Sequence, residues 1–156
     1  MHQHHIKWPD HIDPAKHPIH SYNELLIPAS ADAIWHKLID ATHWPEWYPN
    51  ARDVKIVGSE PVLRPGSQFV WNTFGVTVKS RVLVYEPLVD LGWDAAEIMG
   101  WRGFHGWKII PQDSGCLVIT EEVQAGVGAG LIKNWILERL QREHQNWLVG
   151  LARELK

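Results

Sequence analysis

The C-terminal stretch from Gly126 to Lys156 constrains this chain more than any other. On a period of about 3.6 residues, Ile132, Ile136, Leu140, Trp147, Leu148, Leu151 and Leu155 fall on one stripe, and charged and amide side chains fall mostly opposite. No proline interrupts the run, and Gly126, Gly128 and Gly130 stand before it as breakers. A continuous helix from Ala129 to Leu155 is roughly 40 Å long at about 1.5 Å per residue, so it has to lie across a broad apolar surface. One residue departs from a plain core stripe: His144, between Leu140 and Trp147. The expectation is a histidine at the stripe's edge or one satisfied by hydrogen bonds, on a helix that serves as a wall.

With 156 residues the chain has the size of one domain with a real core, and 45% apolar and 21% charged residues fit a soluble globular protein. The formal charge of −3 and the lack of a basic run argue against a nucleic-acid partner. No apolar run approaches the roughly 20 residues of a membrane span, and the polar N-terminus does not read as a signal peptide. A lone cysteine, Cys116, fits a reducing cytoplasm. Ten tryptophans are far above ordinary usage; such rings fill cores and also line pockets for flat or greasy ligands.

Residues 1–20 read as an arm broken by Pro9, Pro14 and Pro18, with Trp8 pinning it to the body. His2, His4 and His5 on this arm match no closed metal site. Residues 21–156 read as one domain. A strand over Ser21 to Ile27 leads to Ser30, a good N-cap for a helix to about Ala41. The segment from Thr42 to Asn50 packs three rings downward, and Trp44, Trp47 and Tyr48 are candidate gate residues. Strands then follow at Asp53–Val57, Phe69–Thr73, Val76–Tyr85, Leu91–Ile98, Arg102–Ile110 and Cys116–Gln124, each closed by turn residues. Short connections imply an antiparallel meander. The fold class is α+β: a curved antiparallel sheet of about seven strands wrapped around the long C-terminal helix, with two short helical pieces after the first strand. A cavity between sheet and helix follows from that order.

Motif chemistry is sparse. There is no GxSxG, CxxC or HExxH, and no carboxylate cluster at metal spacing, so neither metal nor cofactor is expected. Strand alternation offers one polar group. The parity of Val76, Val78, Ser80, Val82 and Val84 faces inward, as do Trp93 and the set His105, Trp107 and Ile109. The turn at Pro111 to Gly115 sets His105 roughly opposite Glu121 or Glu122. An imidazole–carboxylate pair there suits proton transfer to an enolisable ligand, with the glutamate raising the histidine's pKa. Glu122 is the glutamate assigned to this candidate catalytic pair. The cavity lining is expected to comprise Trp71, Trp93, Trp107 and Thr120 from the sheet and Ile136, Leu140, His144 and Trp147 from the helix.

Three phrases, ADAIWHKLIDATHWPEWYPN (Ala31 to Asn50), LRPGSQFVWNTFG (Leu63 to Gly75) and GCLVITEEVQAG (Gly115 to Gly126), together with the C-terminal helix, resemble the START-like or SRPBCC helix-grip superfamily. The similarity is greatest to its polyketide cyclase/dehydrase-like branch, and it spans roughly Ser21 to Leu155. It implies the helix-grip fold and leaves function open, because the superfamily's members serve many roles. The first expectation is a cytoplasmic binder of a hydrophobic or aromatic small molecule. The alternatives are a cyclase or dehydratase, of lyase or isomerase type, with His105 as acid/base, and a co-chaperone-like protein-interaction module. A homodimer is compatible with each.

Overall fold

The computed structural model describes residues 3–156, apart from the side chain of residue 97; His2 lies outside them. Seven strands form one sheet in the order β1-β7-β6-β5-β4-β3-β2, every neighbouring pair antiparallel. The strands are β1 (Ile19–Ile27), β2 (Ala51–Ile56), β3 (Gln68–Thr73), β4 (Val76–Glu86), β5 (Asp90–Ile98), β6 (Trp101–Gln112) and β7 (Gly115–Ala125). Between β1 and β2 lie α1 (Ala31–Ile39), a 3-10 turn (Ala41–His43) and α2 (Trp44–Trp47); α3 (Ala129–Glu154) ends the chain. This is the helix-grip fold that the sequence implies.

Local chemistry sets the boundaries. Ser30 caps α1, its Oγ accepting from the Ala33 N–H at 3.1 Å. The hairpins β3–β4 and β5–β6 turn on Phe74-Gly75 and Met99-Gly100, all four with positive φ, as a two-residue type I′ connection requires. Both turns lie at the end of the sheet from which β7 leads into α3. The first strand begins at Ile19, two residues before the expected start, because Ile19 pairs with Gln124.

Val84 corrects the expected parity of β4. A register shift between Val82 and Val84 turns Val84 to the outer face, where it packs with Ile6 and Phe104. Tyr85 faces inward instead and meets Trp35 edge-on at 5.1 Å.

The 26-residue helix α3 is two helices in function. Its second half buries Leu140, His144, Trp147, Leu148, Gly150 and Leu151 against the concave face of the sheet and α2. In its first half Ala129 is buried, but Leu131 and Trp135 are exposed and Ile132 is 44% exposed, so the apolar stripe is not buried along its whole length.

The N-terminal arm lies on the opposite, outer face. Ile6 packs among Val84, Phe104, Ile119 and Val123, over a notch left by Gly106, where a Cβ would meet Ile6 Cδ1. Buried Glu121 accepts from the Ile6 N–H at 2.8 Å, from His5 Nδ1 at 2.9 Å and from His20 Nε2 at 2.8 Å. Asp90 accepts from the Lys7 N–H at 2.9 Å and from Lys108 Nζ at 2.6 Å. Trp8 rests on Phe104 at 5.8 Å, so it shares with Ile6 the anchoring role expected of it.

The closest seam between α2 and α3 is at Gly150, where a Cβ would stand 2.5 Å from the Trp47 carbonyl oxygen. Gly150→Ala is therefore expected to destabilise the fold by about 1–3 kcal/mol despite its better helix propensity. Urea titration reads this as a lower midpoint at constant slope; an unchanged or raised midpoint contradicts the seam.

Candidate functional site

The divergence of α3 from the sheet leaves a pocket of about 540 Å³. Small side chains make the room: Ala95 on β5 pairs with Gly103 on β6, and both border the space. Trp71, Val78, Ser80 and Trp93 form the sheet wall, and Ile132, Ile136 and Leu140 form the helix wall. At the inner end Tyr48 stacks on Trp147, with ring centroids 4.3 Å apart and planes 5° from parallel. Met99 and Trp135 border the pocket and are exposed, which the sequence did not disclose. Arg139 lies over the Trp135 ring at 4.7 Å and the Phe74 ring at 5.6 Å.

Three titratable side chains from three elements meet at the inner end. Sheet register sets His105 of β6 beside Glu122 of β7, with Nδ1 3.6 Å from Oε2. His144 of α3 reaches the same oxygen with Nε2 at 3.1 Å, and its ring stacks on that of His105 at 4.6 Å, with the planes 26° apart. His144 is thus a buried second imidazole beside His105, not an edge residue on a plain wall. The reason lies in β1: the Ser21 hydroxyl sits 3.2 Å from His144 Nδ1 and gives the inward ring a polar partner.

Thr120 Oγ1 lies 2.6 Å from His105 Nε2 and 3.2 Å from the Gly106 carbonyl oxygen, so the hydroxyl takes up the Nε2 edge of the ring. His105 Nδ1 faces the Glu122 carboxylate at 3.6 Å, beyond hydrogen-bond distance. Burial, then the neighbouring His144, push the His105 pKa down to about 3, and the attraction of Glu122 does not compensate. That reverses the expected direction: the glutamate does not make His105 a cation. Burial alone would raise Glu122, yet hydrogen bonds from His144 and from Gln124 Nε2 at 2.6 Å hold it below the usual carboxylate range.

Of the expected cavity residues, Trp71, Trp93, Ile136, Leu140, His144 and Trp147 border the pocket, as do His105 and Glu122. Trp107 and Thr120 do not; they are fully buried, Trp107 stacked beneath His105 at 5.6 Å and Thr120 acting on its far nitrogen. Trp44 and Trp47 are not at a gate. Pro45 and the preceding 3-10 turn carry this segment into the core, where Trp44 donates Nε1–H to the Leu38 carbonyl at 3.1 Å and meets Trp71, Trp93 and Trp147. Tyr48 alone of the three borders the pocket. Ser21 and Gln124 were missed; Gln124 was readable, lying two residues from Glu122 on the same strand face. No linear motif for a metal exists, yet His105, Glu122 and His144 offer three donor atoms within 4.8 Å of one another.

Thr120→Val removes the hydroxyl and leaves the buried His105 Nε2 without its partner, an expected loss of about 1–3 kcal/mol, whereas Thr120→Ser retains the hydroxyl and loses about 1 kcal/mol or less. Nitrogen-15 NMR of the wild-type protein at neutral pH should report an uncharged His105 imidazole; a cationic ring contradicts the downward push of burial.

The sequence profile of a family described as polyketide cyclase/dehydrase and lipid transport matches residues 19–156. No curated protein matches the chain at significance. Among solved structures, hypothetical protein jhp0584 from Helicobacter pylori superposes with a TM-score of 0.88 at 24% identity, covering 100% of this chain and 99% of that one. The Zhui aromatase/cyclase from Streptomyces sp. R1128 gives 0.68 at 16% identity over 87% of this chain and 92% of its own. Truncated norcoclaurine synthase from Thalictrum flavum gives 0.68 at 16% identity over 86% and 91%. At these identities the likeness is one of fold.

Proposed function

The chain belongs to the polyketide cyclase/dehydrase and lipid transport family, and from that premise we propose that it binds a hydrophobic or aromatic small molecule between the sheet and the first half of α3. One observation carries this reading: a pocket of about 540 Å³, walled largely by rings and aliphatic side chains, has a polar cluster of Glu122, His144 and His105 at its inner end. Such sites take ligands with an apolar body and one oriented polar function. The exposed side chains of Met99 and Trp135 at the pocket's rim suit the passage of a poorly soluble molecule. No helix among the described residues is long and apolar enough to cross a membrane.

The cyclase or dehydratase alternative draws on the family description and on an imidazole at the pocket's end. Its weakness is geometric when centred on His105. The Nε2 edge is occupied by Thr120 and the Nδ1 edge faces Glu122, which leaves no edge free to exchange a proton with a ligand. The interaction-module alternative has only the rim patch in its favour.

Binding is tested with a panel of fused-ring aromatics and long-chain lipids against metal-free protein, read by tryptophan fluorescence and melting temperature. At least one class should quench emission and raise the melting temperature. Ala95→Phe, which places a ring in the pocket, should weaken binding about tenfold or more, 1.4 kcal/mol per decade, without lowering the melting temperature of the free protein. A panel with no hit, together with no retained small molecule in native mass spectra, removes this reading.

A further inference from the structure

We propose that His105, Glu122 and His144 bind a divalent transition-metal ion of the zinc, cobalt or ferrous class through Nδ1, Oε2 and Nε2, with the remaining coordination positions open to the pocket. The inference goes beyond ligand binding and does not require it.

The donor set is the first ground. Two imidazoles and one carboxylate suit borderline divalent ions and are a poor cage for calcium or magnesium, which take mostly oxygen. Spacing is the second. Bonds of about 2.1 Å at angles of about 90–110° set neighbouring donors roughly 3.0–3.4 Å apart. Of the two nitrogen-to-Oε2 distances, 3.1 Å lies inside that range and 3.6 Å lies slightly above it, and all three donors lie within 4.8 Å of one another. The ring planes of the histidines stand 26° apart, so shared coordination tilts the His144 ring toward the ion. A single hydroxyl contact of 3.2 Å holds that ring on its far side, and it can follow such a tilt.

The third ground is the outer shell. Each donor has a partner behind it: Thr120 on the far nitrogen of His105, Ser21 on that of His144, and Gln124 on the other oxygen of Glu122. Metal-binding histidines and carboxylates are oriented by contacts of this kind. A purely structural hydrogen-bonded cluster accounts for the His144–Glu122 contact. It leaves His105 Nδ1, 3.6 Å from Glu122 Oε2, with no partner at hydrogen-bond distance. A cation held between the two gives both a partner. Access is the fourth ground: all three residues border the pocket, on elements tied into the sheet and the buried half of α3.

The histidines of the N-terminal arm also attract metals, so the experiment separates the two sources. Full-length protein is stripped with a chelator and titrated with Co2+, read by visible ligand-field absorption and by metal analysis after gel filtration. One tightly held ion per chain with intense visible bands is expected. Glu122→Gln and His144→Gln should each weaken it by about 100-fold or more, while a His2→Gln, His4→Gln, His11→Gln variant retains it. Circular dichroism checks that the variants fold. Independently of any variant, Co2+ should paramagnetically shift the His105 and Trp93 ring protons of the wild-type protein, whose ring centroids lie 5.1 Å apart. The proposal is overturned if no ion is retained, if the arm substitutions remove it, or if those ring signals do not move. Because the hydrophobic panel is run metal-free, its failure and this one are read separately.

Discussion

The stacking of Trp147 on Tyr48 is the contact on which the rest of the molecule depends. At 4.3 Å and 5° it joins the long helix to the segment after α2, and the same indole meets the rings of Trp44, Trp71, Trp93, Trp107 and His105. Large rings packed at their edges combine apolar burial with a preferred geometry, so they fix direction as well as distance. Among the described residues the indole N–H groups of Trp107 and Trp147 find no hydrogen-bond acceptor; their rings meet edge to face at 5.0 Å and 86°. Cohesion at this end therefore comes mostly from the rings' area. With the second half of α3 clamped there, the first half has to pass over whatever the sheet offers beyond Trp71 and Trp93.

What the sheet offers there is small. Ala95, Ala96 and Gly103 replace the tryptophans of the clamped end, and the Phe74-Gly75 and Met99-Gly100 turns end the strands just beyond. A close-packed interior cannot tolerate such a step in side-chain size without either collapse or a hollow. Collapse is prevented because β5 and β6 are held by their neighbours in the sheet and α3 is held by Trp147. The filled end thus maintains the empty one.

The sequence disclosed the architecture because its signals were local and repeated: alternation along the strands, turn residues between them, and an apolar period over 26 helical residues. It also brought His105 and Glu122 together, since one turn at Asp113-Ser114 sets the β6–β7 register. It misjudged features decided by a single neighbour far along the chain. His144 turns inward because Ser21 and Glu122 receive it, and they lie on two different strands. The shift after Val82 exchanges the faces of Val84 and Tyr85, and no alternation pattern records an added residue. Trp44, Trp47 and Tyr48 look alike as ring-bearing loop residues, and only the path of α2 separates the two that fill the core from the one that borders the pocket.

Glu121 and Glu122 show how the same side chain acquires different roles on opposite faces of one strand. Glu121 is fully buried under the arm, and donors hold both its oxygens: His5 and His20 on Oε1, the Ile6 N–H on Oε2. A carboxylate so saturated is a fastener, because any further ligand would have to displace a donor the fold already supplies. Glu122 is also held at both oxygens, by Gln124 and His144, but it is 15% exposed and faces the pocket. Beside it His105 Nδ1 stands at 3.6 Å, beyond hydrogen-bond distance. Desolvating a carboxylate costs several kcal/mol unless its surroundings repay it. On both faces the donors hold the carboxylate below its usual range. On the inner face, however, Glu122 borders the pocket, and there a bound cation or the polar end of a ligand can reach it.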